Sequence, residues 1–121
     1  MTTQRTSLNA LPRWHQEMIA RLLGASFPGQ HEVAEQLATA RFEIIDGNKS
    51  LNIFPSASVK APVQKTIPVE ASVADKDGIL IQVLLFVRAG AVYMLEILRE
   101  DGEPVKEMPS VDKFDVVVLA P

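Results

Sequence analysis

Ile79-Leu80-Ile81-Gln82-Val83-Leu84-Leu85-Phe86-Val87-Arg88, then Ala89-Gly90, then Ala91-Val92-Tyr93-Met94-Leu95-Glu96-Ile97-Leu98, is the stretch whose reading decides the fold. Two runs rich in aliphatic and aromatic residues flank a short break, which reads as two antiparallel strands joined by a tight turn. From Ile79 to Val87 the first run is apolar everywhere except Gln82. It leaves neither face to water, the pattern of a central strand covered on both sides. Its longest uninterrupted apolar segment, Val83–Val87, is far too short to span a bilayer.

Upstream of this hairpin, Ile67, Val69, Ala71 and Val73 alternate with Pro68, Glu70, Ser72 and Ala74, giving a strand with one wet face. Asp75-Lys76-Asp77-Gly78 supplies the turn between the two. Earlier still, Phe42–Ile45 and Leu51–Phe54 flank Asp46-Gly47-Asn48, a hairpin signal because such a turn needs positive φ. Residues 55–65, rich in Pro and Ser and free of acids, read as a surface loop. Downstream, Asp101-Gly102 makes a third tight turn and Glu103-Pro104-Val105 a short edge segment, since Pro104 cannot donate to a ladder. Phe114–Leu119 is the last strand.

Before residue 41 the period is different. Leu11, Trp14, Met18, Ile19, Leu22 and Leu23 recur in threes and fours, which marks one face of a helix that Gly24 ends. A shorter helix is predicted over 30–40, with Val33 and Leu37 inward and Glu32 and Glu35 near its N-terminus. The fold class that follows is α+β: two N-terminal helices packed on one face of a five- to six-stranded, mainly antiparallel meander sheet. Residues 1–8 are polar and expected to be flexible, and 9–121 form a single domain, an ordinary size for one core.

The 121 residues carry twelve Lys and Arg against fifteen Asp and Glu, a net charge of −3. That is a poor start for a nucleic-acid binder, which shows a basic domain or stripe. The charge is uneven. Residues 1–65 hold seven basic and five acidic groups, whereas 66–121 hold five and ten. There is no cysteine, so neither a disulfide nor a thiolate metal site forms. The N-terminus lacks the apolar stretch of a signal peptide, and the expected setting is soluble and cytoplasmic, with no membrane partner.

Motifs of catalysis are poorly matched. Gly24-Ala25-Ser26-Phe27-Pro28-Gly29 has one residue too many for a nucleophile elbow and joins two helices, where an elbow needs a strand before it. As a phosphate loop it fails because Gln30-His31 stands where Lys-Ser/Thr is required. Asp75-x-Asp77-Gly78 puts its glycine too early for a calcium loop and suits a hairpin turn. The two histidines, His15 and His31, fall on separate helices. No catalytic residue, metal or cofactor is expected.

Two polar groups interrupt the central strands. Glu96 and Gln82 are candidates for buried polar residues. With a two-residue loop at Ala89-Gly90, Glu96 falls opposite Val83 on the face of Ile81 and Leu85; a loop one residue longer shifts the register and moves it beside Leu84, on the face of Gln82. A solvated turn accounts for the acidic run Glu96, Glu100, Asp101, Glu103 and Glu107, which Arg99 and Lys106 only partly offset. The alternative is a docking surface for a basic protein.

Phe27-Pro28-Gly29, Val69-Glu70, Asp75-Lys76-Asp77-Gly78 and above all Leu95-Glu96-Ile97-Leu98-Arg99-Glu100-Asp101-Gly102-Glu103-Pro104 resemble a small bacterial domain family over residues 11–109. The distinctive part is L-E-I-x-R-x-D-G-x-P. The family is functionally uncharacterised, so the resemblance implies an α+β domain and no activity, cofactor or catalytic residue. The function expected from the residues is a non-catalytic protein-binding domain, an immunity- or antitoxin-type inhibitor of a basic toxin that uses Glu100, Asp101, Glu103 and Glu107. The alternatives are a small-molecule-binding or regulatory domain whose pocket gathers Gln82, Glu96 and Tyr93, and a self-associating subunit, with a homodimer as one form.

Overall fold

The computed structural model describes residues 4–56 and 59–119. Among these residues seven strands form one antiparallel sheet: β1 (Thr6–Ser7), β2 (Arg41–Ile44), β3 (Leu51–Phe54), β4 (Val69–Ala74), β5 (Leu80–Arg88), β6 (Ala91–Arg99) and β7 (Asp115–Val118). Helices α1 (Arg13–Leu23) and α2 (Gln30–Thr39) precede all but the first. The class is α+β as expected, with more strands than the five or six predicted. The extra one is β1, which draws Thr6 and Ser7 out of the polar N-terminus to pair with Phe42 and Arg41.

Across the sheet the order is β1-β2-β3-β6-β5-β4-β7, which corrects the meander. Strands β4, β5 and β6 do follow one another, but β3 adds to the outer side of β6 and β7 returns to β4. The connection between β3 and β4 makes this possible by carrying the chain past the central hairpin to β4, one strand in from the far edge. Glu103-Pro104-Val105 is not a strand. It forms part of an irregular segment between Glu100 and Ser110.

Turn chemistry follows the sequence with one exception. Ala89 and Gly90 both have positive φ, 52° and 78°, and Arg88 pairs with Ala91, so the β5–β6 loop has two residues. Between β2 and β3 the positive φ falls on Lys49, at 67°, rather than on the Asp46-Gly47-Asn48 segment. There Asp46 Oδ1 accepts the Ser50 N–H at 2.9 Å while Lys49 N–H reaches the Asp46 carbonyl at 3.0 Å.

One face of the sheet meets the helices. Met18, Ile19 and Leu22 of α1 and Val33 and Leu37 of α2 close over Phe42, Leu51, Val83, Leu85, Leu95 and Ile97 to form the core. Gln36 of α2 is buried with them and ties three segments together: its Nε2 donates to the Val59 and Gly90 carbonyls at 2.9 and 2.8 Å, and its Oε1 accepts the Val92 N–H at 2.9 Å.

The other face is open, which corrects the expectation that β5 is covered on both sides. Along β5, Leu80, Gln82, Leu84 and Phe86 alternate with fully buried Ile81, Val83 and Leu85, and all four keep partial contact with water. Met94, Glu96 and Leu98 of β6 and Glu70 and Ser72 of β4 share that face by register. No described helix is long and apolar enough to cross a membrane.

Candidate functional site

Side chains alternate along β6, so Leu95, Ile97 and Arg99 point to the core side while Met94, Glu96 and Leu98 point away. The alternation therefore forces a guanidinium into the interior at the end of the sheet, where it must be paired. Arg99 Nη1 lies 3.1 Å from Asp75 Oδ2 and 2.9 Å from Asp77 Oδ2, and its Nε donates to Asp101 Oδ1 at 3.0 Å. Asp75 comes from the β4–β5 turn, which the Gly78 φ of 87° closes. Its carboxylate also accepts the backbone N–H groups of Lys106, Lys76 and Glu107, at 2.7, 2.8 and 3.1 Å.

One buried arginine thus fixes three chain segments: 75–78, 99–103 and 105–107. Burial raises the Asp75 pKa, but the three N–H donors and Arg99 outweigh it and hold the carboxyl well below its ordinary range. Asp77 is likewise lowered, because Arg99 and the Ile79 N–H overcome its desolvation. The hydrogen bonds from Arg99 bring Asp101 down to about 2, and those three carboxylates, Asp101 first, push the arginine further up.

The partner-binding candidates divide here. Asp101 is held by Arg99. Glu100, Glu103 and Glu107 are exposed, and among the described residues their carboxylates have no hydrogen bond or ion pair. Their backbones are fixed: Glu100 N–H bonds the Leu80 carbonyl at 2.9 Å, Glu103 N–H bonds Asp101 Oδ1 at 3.0 Å, and Glu107 N–H bonds Asp75. Lys106 Nζ stands 3.9 Å from Asp77. Six carboxylates and three cations meet at this corner of the sheet, leaving it acidic.

Gln82 and Glu96 are not buried, which corrects their reading. Both lie half-exposed on the open face, Gln82 opposite Ser72 and Leu98, Glu96 opposite Leu84. The loop has two residues, yet Glu96 takes the longer register because a bulge on β6 at Tyr93, between the Val87–Val92 and Phe86–Met94 pairs, inserts the extra residue. Tyr93 packs against Phe86 with the rings tilted by 55° and their centroids 5.7 Å apart, and lies under the Arg88 guanidinium. These residues do not converge with a histidine, since His15 and His31 ride on the helices of the opposite face.

A cavity of about 340 Å³ opens on the helix side, between the start of α1 and the loops 46–49 and 105–108. Trp14, Ile97, Val105 and Met108 give it apolar walls, and His15 and Lys49 also line it. His15 is 2% exposed. Its Nε2 is 2.8 Å from the Lys49 carbonyl, so that nitrogen carries the proton, and Nδ1 is an acceptor with no partner among the described residues. Burial lowers its pKa and keeps the ring neutral near pH 7, although the bond to Lys49 works the other way.

Arg99, Gln36 and His15 are the structural residues the sequence reading passed over. For two of them the signal was present: Gln36 follows Val33 by three, and His15 precedes Met18 and Ile19 by three and four, both on an apolar helix face.

A family model described as a domain of unknown function (DUF6984) matches residues 10–109, and the chain belongs to that family. The match coincides with the stretch that carried the resemblance. No curated protein and no solved structure matches the chain.

Proposed function

We propose that this chain is a non-catalytic protein-binding domain that docks a basic protein on its acidic corner, in the manner of an immunity- or antitoxin-type inhibitor of a basic toxin. The supporting observation is the Arg99 hub: a buried guanidinium and three aspartates hold residues 99–107 in one shape while Glu100, Glu103 and Glu107 stand outward and unpaired. A loop fixed before binding loses little conformational entropy when it docks. Unpaired carboxylates on it steer a cationic partner and set its orientation.

The test is a pull-down from the source cell, with the captured protein identified and its affinity measured. Glu100→Lys, Glu103→Lys and Glu107→Lys together should weaken binding of a basic partner at least about tenfold and reduce its salt dependence. The control Glu35→Lys, on exposed α2 surface, should leave it unchanged. Equal capture by the triple variant would reject the reading.

A second reading has its own observation. The bare His15 Nδ1 beside an apolar cavity supports a small-molecule or regulatory site at that cavity, not at Gln82, Glu96 and Tyr93. Trp14, the single tryptophan of the chain, lines the cavity and reports on it. A saturable change in its fluorescence with a small aromatic hydroxy acid such as 4-hydroxybenzoate, lost in Met108→Phe, would favour this reading; a flat titration across such acids would discard it.

A further inference from the structure

The open face of the sheet has more apolar surface than an antiparallel sheet ordinarily turns to water. On its two longest strands it presents Leu80, Leu84 and Phe86, then Met94 and Leu98, all half-exposed. We propose that this face is covered by the same face of a second copy of the chain, in a two-fold symmetric dimer of sheet packed on sheet.

The area is sufficient. Seven strands spaced about 4.8 Å apart make a sheet about 30 Å wide, and its nine-residue central strands run about 30 Å before shortening toward the edges. The face is therefore on the order of 600 Å² in projection, and more once side-chain relief is included. A standard interface takes about 800 Å² from each partner. Gln82 and Glu96 place polar atoms within the footprint, as interfaces of this size carry.

The distribution of charge selects the occupant. Arg41 pairs with Phe54 across β2 and β3 and so shares its face; the Arg5 guanidinium sits over the same ring, 3.6 Å from its centroid. Arg88, at the end of β5, extends this corner, which stays net basic although Glu43 shares the face and accepts from the Asn52 side chain. On the opposite flank Glu70 and Asp115 lie on the open face of β4 and β7. A uniformly basic partner would oppose Arg5, Arg41 and Arg88, and a uniformly acidic one would oppose Glu70 and Asp115. A second copy, turned about a two-fold axis, presents both signs in inverted order. Sheets pack face to face either aligned or near perpendicular, so the fold accommodates the rotation that sets one corner over the other.

This inference shares with the acidic-corner reading only its rim at Glu100, whose N–H bonds Leu80; Glu103 and Glu107 lie farther along the irregular segment beyond the last residue of β6. Light scattering or sedimentation at about 100 μM, above the micromolar range of a weak interface, should give twice the 13.3 kDa of the chain. Leu84→Arg, and separately the milder Ser72→Lys, should weaken the dimer at least about tenfold with the far-UV spectrum unchanged. Arg41 and Glu70 are four strand spacings apart, about 19 Å within one chain, so they do not meet inside a copy. Arg41→Glu and Glu70→Arg should each weaken association, and the double variant should recover it. A monomeric wild type, a dimer indifferent to both footprint substitutions, or a double variant that stays monomeric would each overturn the proposal.

Discussion

Arg99 Nη1 and Asp75 Oδ2 lie 3.1 Å apart with their side chains at 3% and 0% exposure, joining the end of β6 to the β4–β5 turn. Asp75 also caps three backbone N–H groups, two of them in the 105–107 segment. Removing its carboxylate strands a buried cation and frees those donors together. Asp75→Leu should therefore lower Tm by at least about 10 °C and expose residues 103–109 to proteolysis. Asp101→Asn should cost far less, because its side chain is one-third exposed and retains an oxygen for Arg99. An Asp75→Leu protein that melts within a few degrees of wild type would show that the hub is ornamental.

The same cluster sets the response to acid. Asp75, Asp77 and Asp101 all titrate below their unfolded values in the folded chain: Asp75 through the Lys106 and Lys76 N–H groups and then Arg99, Asp77 and Asp101 chiefly through Arg99, with Asp101 at about 2. The folded state binds fewer protons than the unfolded one in this range, so stability falls as pH falls. The contribution is complete above about pH 5, where unfolded aspartates are almost fully ionised, and is lost as pH drops toward 2 and below. Denaturant midpoints measured between pH 5 and pH 2 should decline steeply for the wild type. In Arg99→Ala, which starts lower, the decline over the same window should be shallower; a parallel decline would remove Arg99 as its cause.

Gln36 closes a different junction. Its amide satisfies the Val92 N–H and two carbonyls, at the place where α2, the 55–65 loop and the β5–β6 hairpin meet. Leucine has a similar volume and no hydrogen-bonding groups, so Gln36→Leu leaves buried polar partners without a substitute. The expected loss is about 2–4 kcal/mol in chemical denaturation. Amide exchange at Val92 should rise with it. Protection at Val92 unchanged in the variant would mean that another acceptor takes over.

What the sequence disclosed and what it withheld divide along the range of the interactions. Helix α1, its stop at Gly24, and the turns at Gly78, Ala89-Gly90 and Gly102 rest on local spacing and on φ preferences that short segments carry by themselves. The placement of β3 beside β6 rests on a loop closure with no local signature, and the face of Glu96 depends on a bulge that shifts register without changing composition. Arg99 sat in an acidic run and read as its counter-charge, since nothing nearby announces that Asp75, twenty-four residues earlier, will enclose it. His15 and Gln36 were legible as positions on apolar helix faces, but only the structure supplies the carbonyls and amides that make a polar group tolerable there.

Glycines 90 and 102 separate two costs that usually travel together. Both have positive φ, 78° and 80°, so a side chain at either meets the same backbone strain. At Gly102 an added Cβ would find nothing within 4 Å, whereas at Gly90 it would lie 2.9 Å from Lys60 Cβ and 3.2 Å from the Ala61 carbonyl oxygen. That approach is held by the Ala61 N–H bond to the Gly90 carbonyl, 2.8 Å long, which docks the loop onto the hairpin. Gly102→Ala should cost about 1 kcal/mol from conformation alone. Gly90→Ala should cost at least about 1 kcal/mol more, because the loop must retreat and the bond to Ala61 lengthens. Equal losses in urea denaturation would mean that the 60–61 segment yields freely, and that its contact with the hairpin does little to hold the fold.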